Sequence, residues 1–112
     1  MSLSDETRAR IDALVKENRV LLFMKGDRRV PQCGFSATVA QILDSLLRDY
    51  QTFDVLADPE IREGIKEYSS WPTIPQLYVD GKFQGGCDIL REMYADGELQ
   101  ELLSAAGSTT RP

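Results

Sequence analysis

The chain has 112 residues, 42% of them hydrophobic and 28% charged, with 18 acidic side chains against 13 basic ones and a net charge of −5. This is the composition of one ordinary globular domain, able to bury roughly two-thirds of its unfolded surface, and its longest apolar run, Val20–Met24, is far shorter than the ~20 residues of a membrane helix. The acidic balance excludes general nucleic-acid binding, the absence of histidine excludes Ser-His-Asp and Cys-His nucleophile systems, and two cysteines are too few for a four-cysteine metal site in one chain.

Ser4 ahead of Asp5 and Glu6 starts a helix, with Ile11, Leu14 and Val15 as its apolar stripe and an end near Asn18. Val20–Met24 does not alternate and reads as a strand buried on both faces. Gly26 to Gln32 is a turn and loop. Gly34 to Arg48 has the clearest helical spacing, through Val39, Ile42, Leu43, Leu46 and Leu47. Phe53 and Val55 mark a second strand, and Asp58-Pro59 opens a helix to about Tyr68, with the aspartate as N-cap and proline at the first helical position. Leu77–Val79 and Lys82–Gln84 flank Asp80-Gly81, a strong hairpin pair. After Gly85-Gly86 helical spacing resumes from 88 to 95, and a last helix runs from Glu98 to about Ala106.

This order predicts an α/β fold of thioredoxin-like type, a mixed four-stranded sheet flanked by helices. Its first two strands are parallel through a right-handed crossover, and the hairpin adds an antiparallel pair. Residues 1–106 form this single domain and 107–112 a flexible tail. The amino terminus has neither the basic nor the apolar region of a secretion signal, so the expected location is cytoplasmic.

Cys33 falls between a loop and the start of the best helix, where free backbone N–H groups and the helix dipole favour a thiolate. From Arg19 to Cys33, the basic residues Arg19, Lys25, Arg28 and Arg29 face a single acid, Asp27, and this field is expected to lower the thiol pKa further. The fourth motif residue is Ser36 rather than cysteine, so a mixed disulfide at Cys33 needs an external thiol or Cys87 for its release. A cis bond before Pro75 would leave the backbone of Ile74 free to pair with an extended peptide, although most X-Pro bonds are trans and Thr73-Ile74-Pro75 alone reads as a turn. The N–H groups of Gly85-Gly86-Cys87-Asp88 would suit a carboxylate; the plainer reading is a hairpin exit with Asp88 as N-cap. Arg62, in the first turn of its helix where a cation is unfavourable, hints at a ligand, while Trp71 reads as core.

Met24-Lys25-Gly26, Cys33-Gly34-Phe35-Ser36, Trp71-Pro72-Thr73-Ile74-Pro75-Gln76-Leu77 and Gly85-Gly86-Cys87-Asp88-Ile89, taken in order, closely resemble the monothiol, CGFS-type glutaredoxins. The resemblance runs from about Ile11 to Leu103 and includes that family's lengthened loop between the lysine and the cysteine. Two departures stand out. Asp27-Arg28 replaces the small polar residue and proline usual after Lys-Gly, which bears on how rigid the loop is, and Gln84 stands where an aliphatic residue is typical, at the sheet edge.

The resemblance implies glutathione and a [2Fe–2S] cluster as cofactors. By similarity, Lys25 and Arg62 pair with the glycine carboxylate of glutathione, the backbone of Ile74 pairs with its cysteine moiety, and Cys87 (through its backbone) and Asp88 hold the γ-glutamyl end. Cys33 ligates iron and is the catalytic thiol if there is one. A four-thiolate cluster then takes Cys33 from two chains and two glutathione thiols. The expected partners are a second copy of the chain in the cluster-bound form, apo iron–sulfur proteins and a BolA-family protein, with neither nucleic acid nor membrane. The favoured role is cluster assembly and transfer. The alternatives are a weak glutathione-dependent disulfide oxidoreductase, with Cys33 as nucleophile, and a redox-silent docking module.

Overall fold

Strand β1 (Val20–Met24) is buried along its whole length, and its side chains serve two cores in alternation. Val20, Leu22 and Met24 pack on one face of the sheet, and Leu21 and Phe23 on the other, as the two-residue period of a strand requires. In the computed structural model, which describes residues 3–105, β1 has a neighbour on each side. Strand β2 (Gln51–Asp54) runs parallel to it and β3 (Gln76–Val79) antiparallel. Strand β4 (Lys82–Gly85) pairs antiparallel with β3, giving the order β2-β1-β3-β4. Helices α1 (Asp5–Glu17) and α3 (Pro59–Ser69) cover the Leu21/Phe23 face. The opposite face carries α2 (Gly34–Leu46), α4 (Cys87–Asp96) and α5 (Glu98–Ala105). This is the thioredoxin-like arrangement predicted from the element order. The expected tail, 107–112, lies outside the described residues.

The capping chemistry holds where the sequence places it. Ser4 Oγ accepts the Thr7 N–H at 3.1 Å, and Asp58 Oδ1 accepts the Ile61 N–H at 3.2 Å ahead of Pro59. Asp80 and Gly81 both take positive φ, 52° and 79°, as a tight hairpin between twisted strands demands.

Among the boundaries that differ from expectation, three change how an element begins or ends. Val55 is not in β2 but begins a 3-10 turn, Val55–Ala57. The carboxylate of Asp54 ends the strand there, with Oδ1 accepting the Leu56 N–H at 2.9 Å and the Gly26 N–H at 3.0 Å. Helix α2 stops at Leu46 instead of Arg48: Leu47 turns extended, and the return path seats both Leu47 and Tyr50 in the core. Helix α4 starts at Cys87, one residue early, with Gly86 rather than Asp88 as its N-cap.

Gly26 closes β1 with φ +86°, and a Cβ there would lie 2.4 Å from the Val30 carbonyl oxygen. Gly26→Ala should therefore cost about 1–3 kcal/mol, a left-handed residue plus a backbone clash. Urea denaturation should show a lower midpoint at unchanged slope. A midpoint equal to wild type would mean that the loop yields to the methyl group without cost.

Candidate functional site

Helix α2 begins on a sulfur. Cys33 is its N-cap, with extended backbone, and Sγ accepts the Ser36 N–H at 3.4 Å. Ser36 is wholly buried. Its hydroxyl oxygen accepts the Lys25 N–H at 3.0 Å, which leaves the hydroxyl proton free to turn to Sγ, 3.6 Å away. Burial alone would raise the Cys33 pKa. The backbone and side-chain hydrogen bonds of Ser36, the Phe35 N–H and the Lys25 ammonium outweigh it, and the thiol is held below its ordinary value. Part of the basic island plays no role here. Arg28 is engaged by Asp44 and Asp49, and Lys25 is the basic side chain that acts on the sulfur.

The surroundings of Cys33 are open. A Cβ on Gly34 would meet nothing within 4 Å, and Phe35 and Val30 are 65% and 59% exposed on either side in sequence. The ammonium of Lys25 forms no ion pair among the described residues, although its carbonyl accepts the Gln32 N–H at 2.8 Å.

The Trp71–Leu77 motif packs against the Gly85–Ile89 motif. The Ile74–Pro75 bond is cis, not the commoner trans, and Ile74 precedes the first ladder pair of β3, Gln76 with Phe23. Gln76 is completely buried, and its amide nitrogen donates to the carbonyls of Trp71 (3.0 Å) and Thr73 (3.1 Å), fixing the loop from beneath. Trp71 lies at the margin of the core rather than within it, with its ring 5.8 Å from Phe83 and its buried Nε1 lacking a partner among the described residues. A Cβ on Gly86 would come within 2.8 Å of that nitrogen, so the absence of a side chain lets the two motifs touch.

Gly86 offers no side-chain cap to α4, and the N–H groups of Cys87 and Asp88 open the helix without one. Cys87 differs from Cys33: burial and the charge of Asp88 push its thiol up, and Arg91 opposes this only in part. Strand β4 runs parallel to β1, so the starts of α2 and α4 share one end of the molecule, and a Cys33 thiolate adds slightly to the charge that pushes the Cys87 thiol up. Arg62 is not bonded to this pair. Among the described residues no hydrogen bond or ion pair joins it to Lys25 or Cys33, and its Nε is buried without a partner.

Two residues matter more than their sequence context suggests. Ser36 reads in the sequence only as a missing cysteine, although a serine three residues into a capped helix start is well placed to bond the cap. Gln76 has no evident role there either; a glutamine leading an otherwise apolar strand is the sign of a buried hydrogen-bonding duty.

A family model described as Glutaredoxin matches residues 20–84. A monothiol glutaredoxin of the Ycf64-like type from Synechocystis is 61% identical over 93% of this chain and 97% of its own. Monothiol glutaredoxin-S7 of rice, named as chloroplastic, is 58% identical over 93% of this chain, which spans 62% of the rice protein. Among solved structures, a buckwheat glutaredoxin–glutathione complex superposes with a TM-score of 0.80 at 26% identity, covering 95% of this chain and 98% of the other.

The geometry around Ser36 makes a pH prediction. Cys33 is an acid whose folded pKa is depressed, so its contribution to stability is present above the unfolded thiol value and is lost as pH falls through the folded value. Ser36→Ala removes one donor to the thiolate, and the midpoint of Cys33 alkylation by iodoacetamide should move up. It should stay below an ordinary thiol, because the backbone donors and Lys25 remain. The orphaned Lys25 N–H should also cost about 1–3 kcal/mol in stability. Peptide-resolved mass spectrometry of alkylation against pH reads the first effect, and an unmoved midpoint would remove the Ser36 hydroxyl from the thiolate's environment.

Proposed function

The chain belongs to the glutaredoxin family, in its monothiol branch, and on that premise we propose that it binds glutathione and carries a [2Fe–2S] cluster between two subunits for delivery to apo iron–sulfur proteins. The observation that carries the glutathione reading is a set of unspent anion-binding groups. Among the described residues the Lys25 ammonium has no carboxylate, the Arg62 Nε is buried and unpartnered, and α4 begins without a side-chain cap. Glutathione carries two carboxylates. Lys25 and Arg62 suit its glycine end, and the N–H groups at Cys87 and Asp88 suit the γ-glutamyl carboxylate, with the Asp88 side chain for its ammonium. The backbone of Ile74, outside the β3 ladder, is left for the central residue. The likeness to a buckwheat glutaredoxin in complex with glutathione supports the same ligand.

The cluster is cargo, and the donor set fits a shared one. Among the described residues no group of three or more Cys, His, Asp or Glu could hold a metal. One chain therefore offers one activated thiolate, Cys33, and four-thiolate ligation calls for a second chain and two glutathione thiols. Cys87, held toward the protonated form, is the poorer ligand. A BolA-family protein is the further partner that the family suggests. We place the chain in a reducing compartment, the cytoplasm or, in line with the rice relative's name, a plastid.

The exposed flank of Cys33 favours a second reading, deglutathionylation. The Cys33 thiolate would attack the glutathione sulfur of a mixed disulfide and release the substrate thiolate. A second glutathione thiolate would then attack the Cys33–glutathione disulfide, leaving oxidised glutathione and free Cys33.

Anaerobic reconstitution with and without glutathione, read by absorbance and size exclusion, tests the main reading. A dimer-bridging chromophore with about one glutathione per Cys33 is expected, lost in Cys33→Ser and kept in Cys87→Ser. A stable cluster that forms without glutathione and disappears in Cys87→Ser would replace the ligand set by the four protein thiols. Rapid turnover of a small mixed disulfide without iron would favour the enzyme.

Lys25→Gln and Arg62→Gln should each weaken glutathione by about 1–3 kcal/mol, less at high salt. Titration calorimetry showing wild-type affinity in both variants would take these residues out of the site.

A further inference from the structure

The loop between Lys25 and Cys33 is closed on itself. Gln32 N–H bonds to the Lys25 carbonyl at 2.8 Å, Gly26 bridges Pro31, and Asp27 Oδ1 accepts the N–H groups of Arg29 and Val30, both at 2.8 Å. These bonds give the loop a shape but lie within the loop and at its base. Gly26, at its base, donates to Asp54 Oδ1 at 3.0 Å; the tie that reaches the loop beyond that base comes from Arg28. One guanidinium nitrogen is 2.9 Å from Asp44 Oδ1, and the other is 3.3 Å from Asp49 Oδ1 and 3.5 Å from the Tyr50 carbonyl. The guanidinium also lies over the Tyr50 ring, 4.0 Å from its centre. Tyr50 is buried, and its hydroxyl lies 2.9 Å from Asp44 Oδ1 and 3.2 Å from the Ala40 carbonyl, which braces Asp44 from behind.

Asp44 belongs to α2, the helix that Cys33 caps. The loop before Cys33 and the helix after it are thus referred to one body. We propose that Arg28 is a positioning residue for Cys33: by clamping loop 26–32 to the far half of α2, it sets the segment between Lys25 and Cys33 before any ligand arrives. This rests on Cys33 being the working thiol of the proposed function. It also accounts for the Asp27-Arg28 pair, which stands where stiffness would otherwise come from proline: an aspartate-capped turn and an ionic clamp supply it instead.

Two ways for Arg28 to act on Cys33 give opposite results. If its charge acted on the sulfur, Arg28→Gln would raise the alkylation midpoint and Asp44→Asn would lower it. A clamp makes both variants move in the same direction, because either loosens the segment that leads into Cys33 and lets its sulfur shift relative to Lys25, which Ser36 holds in place. The expected result is slower Cys33 alkylation at neutral pH in both, by about threefold. Hydrogen exchange at Val30 and Gln32 should quicken about fivefold, the factor of about 1 kcal/mol, with β1 amides unchanged. The double variant should be no worse than either single one. Arg28→Lys should restore only part, since an ammonium cannot serve two carboxylates and a ring face together.

Opposite shifts in the two single variants, additive effects, or unchanged loop exchange would overturn the proposal. Faster exchange in β1 by the same factor would make Arg28 a general stabiliser and overturn it equally. All these measurements are made without glutathione or iron, so a failure of wild type to bind either would count against the proposed function and leave the clamp separately decided.

Discussion

Helix α2 uses a thiol sulfur to accept one of its first free N–H groups, and that single substitution of sulfur for oxygen makes demands on everything around it. Sulfur is a weak acceptor when protonated and a better one as thiolate, so helix and thiolate stabilise each other. A cap of this kind cannot secure the helix alone. Its position comes from burial of Val39, Leu43 and their neighbours against the Val20/Leu22/Met24 face of β1. The buried Ser36 hydroxyl then has to be satisfied, and the Lys25 N–H at the end of β1 does so. One oxygen therefore joins the strand that carries the cation to the helix that carries the thiol.

The remaining parts of the site meet at the same end because of sheet order. With β1 and β3 adjacent and antiparallel, the start of β3 lies beside the end of β1, which brings the Trp71–Pro75 segment near Lys25. The hairpin returns the chain to that end, and Gly86 passes against Trp71 into α4. The consequence is chemical asymmetry between two cysteines at two helix starts. Cys33 has a nearby cation and a hydroxyl, whereas Cys87 has the carboxylate of Asp88 as its neighbour in sequence.

What is legible in the sequence is local. The five-residue apolar run of β1, the Asp58-Pro59 helix start and the Asp80-Gly81 turn each depend on residues a few positions apart, and each lies where the pattern puts it. The four motifs, read together, point to the family. What escapes is decided across the fold. Val55 leaves the strand because Asp54 also serves Gly26, 28 positions away. Arg28 looks in the sequence like part of a positive field on Cys33, and only its pairing with Asp44, 16 positions on, turns that charge elsewhere. Spacing in the sequence carries no information about such partners.

The edges of the sheet bear on how two such chains could meet. Both outer strands have only four residues, β2 opening with exposed Gln51 and β4 with exposed Lys82. Strand β4 carries Gln84 where aliphatic side chains are usual, and its pairing with β3 is irregular at Leu77/Tyr78. Short, polar and interrupted edges resist the addition of another strand, the commonest accidental route to aggregation in β-containing proteins. Under the proposed cluster-bridged pairing this has a use: with lateral sheet extension discouraged, two chains would be left to meet at the end that presents Cys33, where their association would be conditional on what the thiol holds.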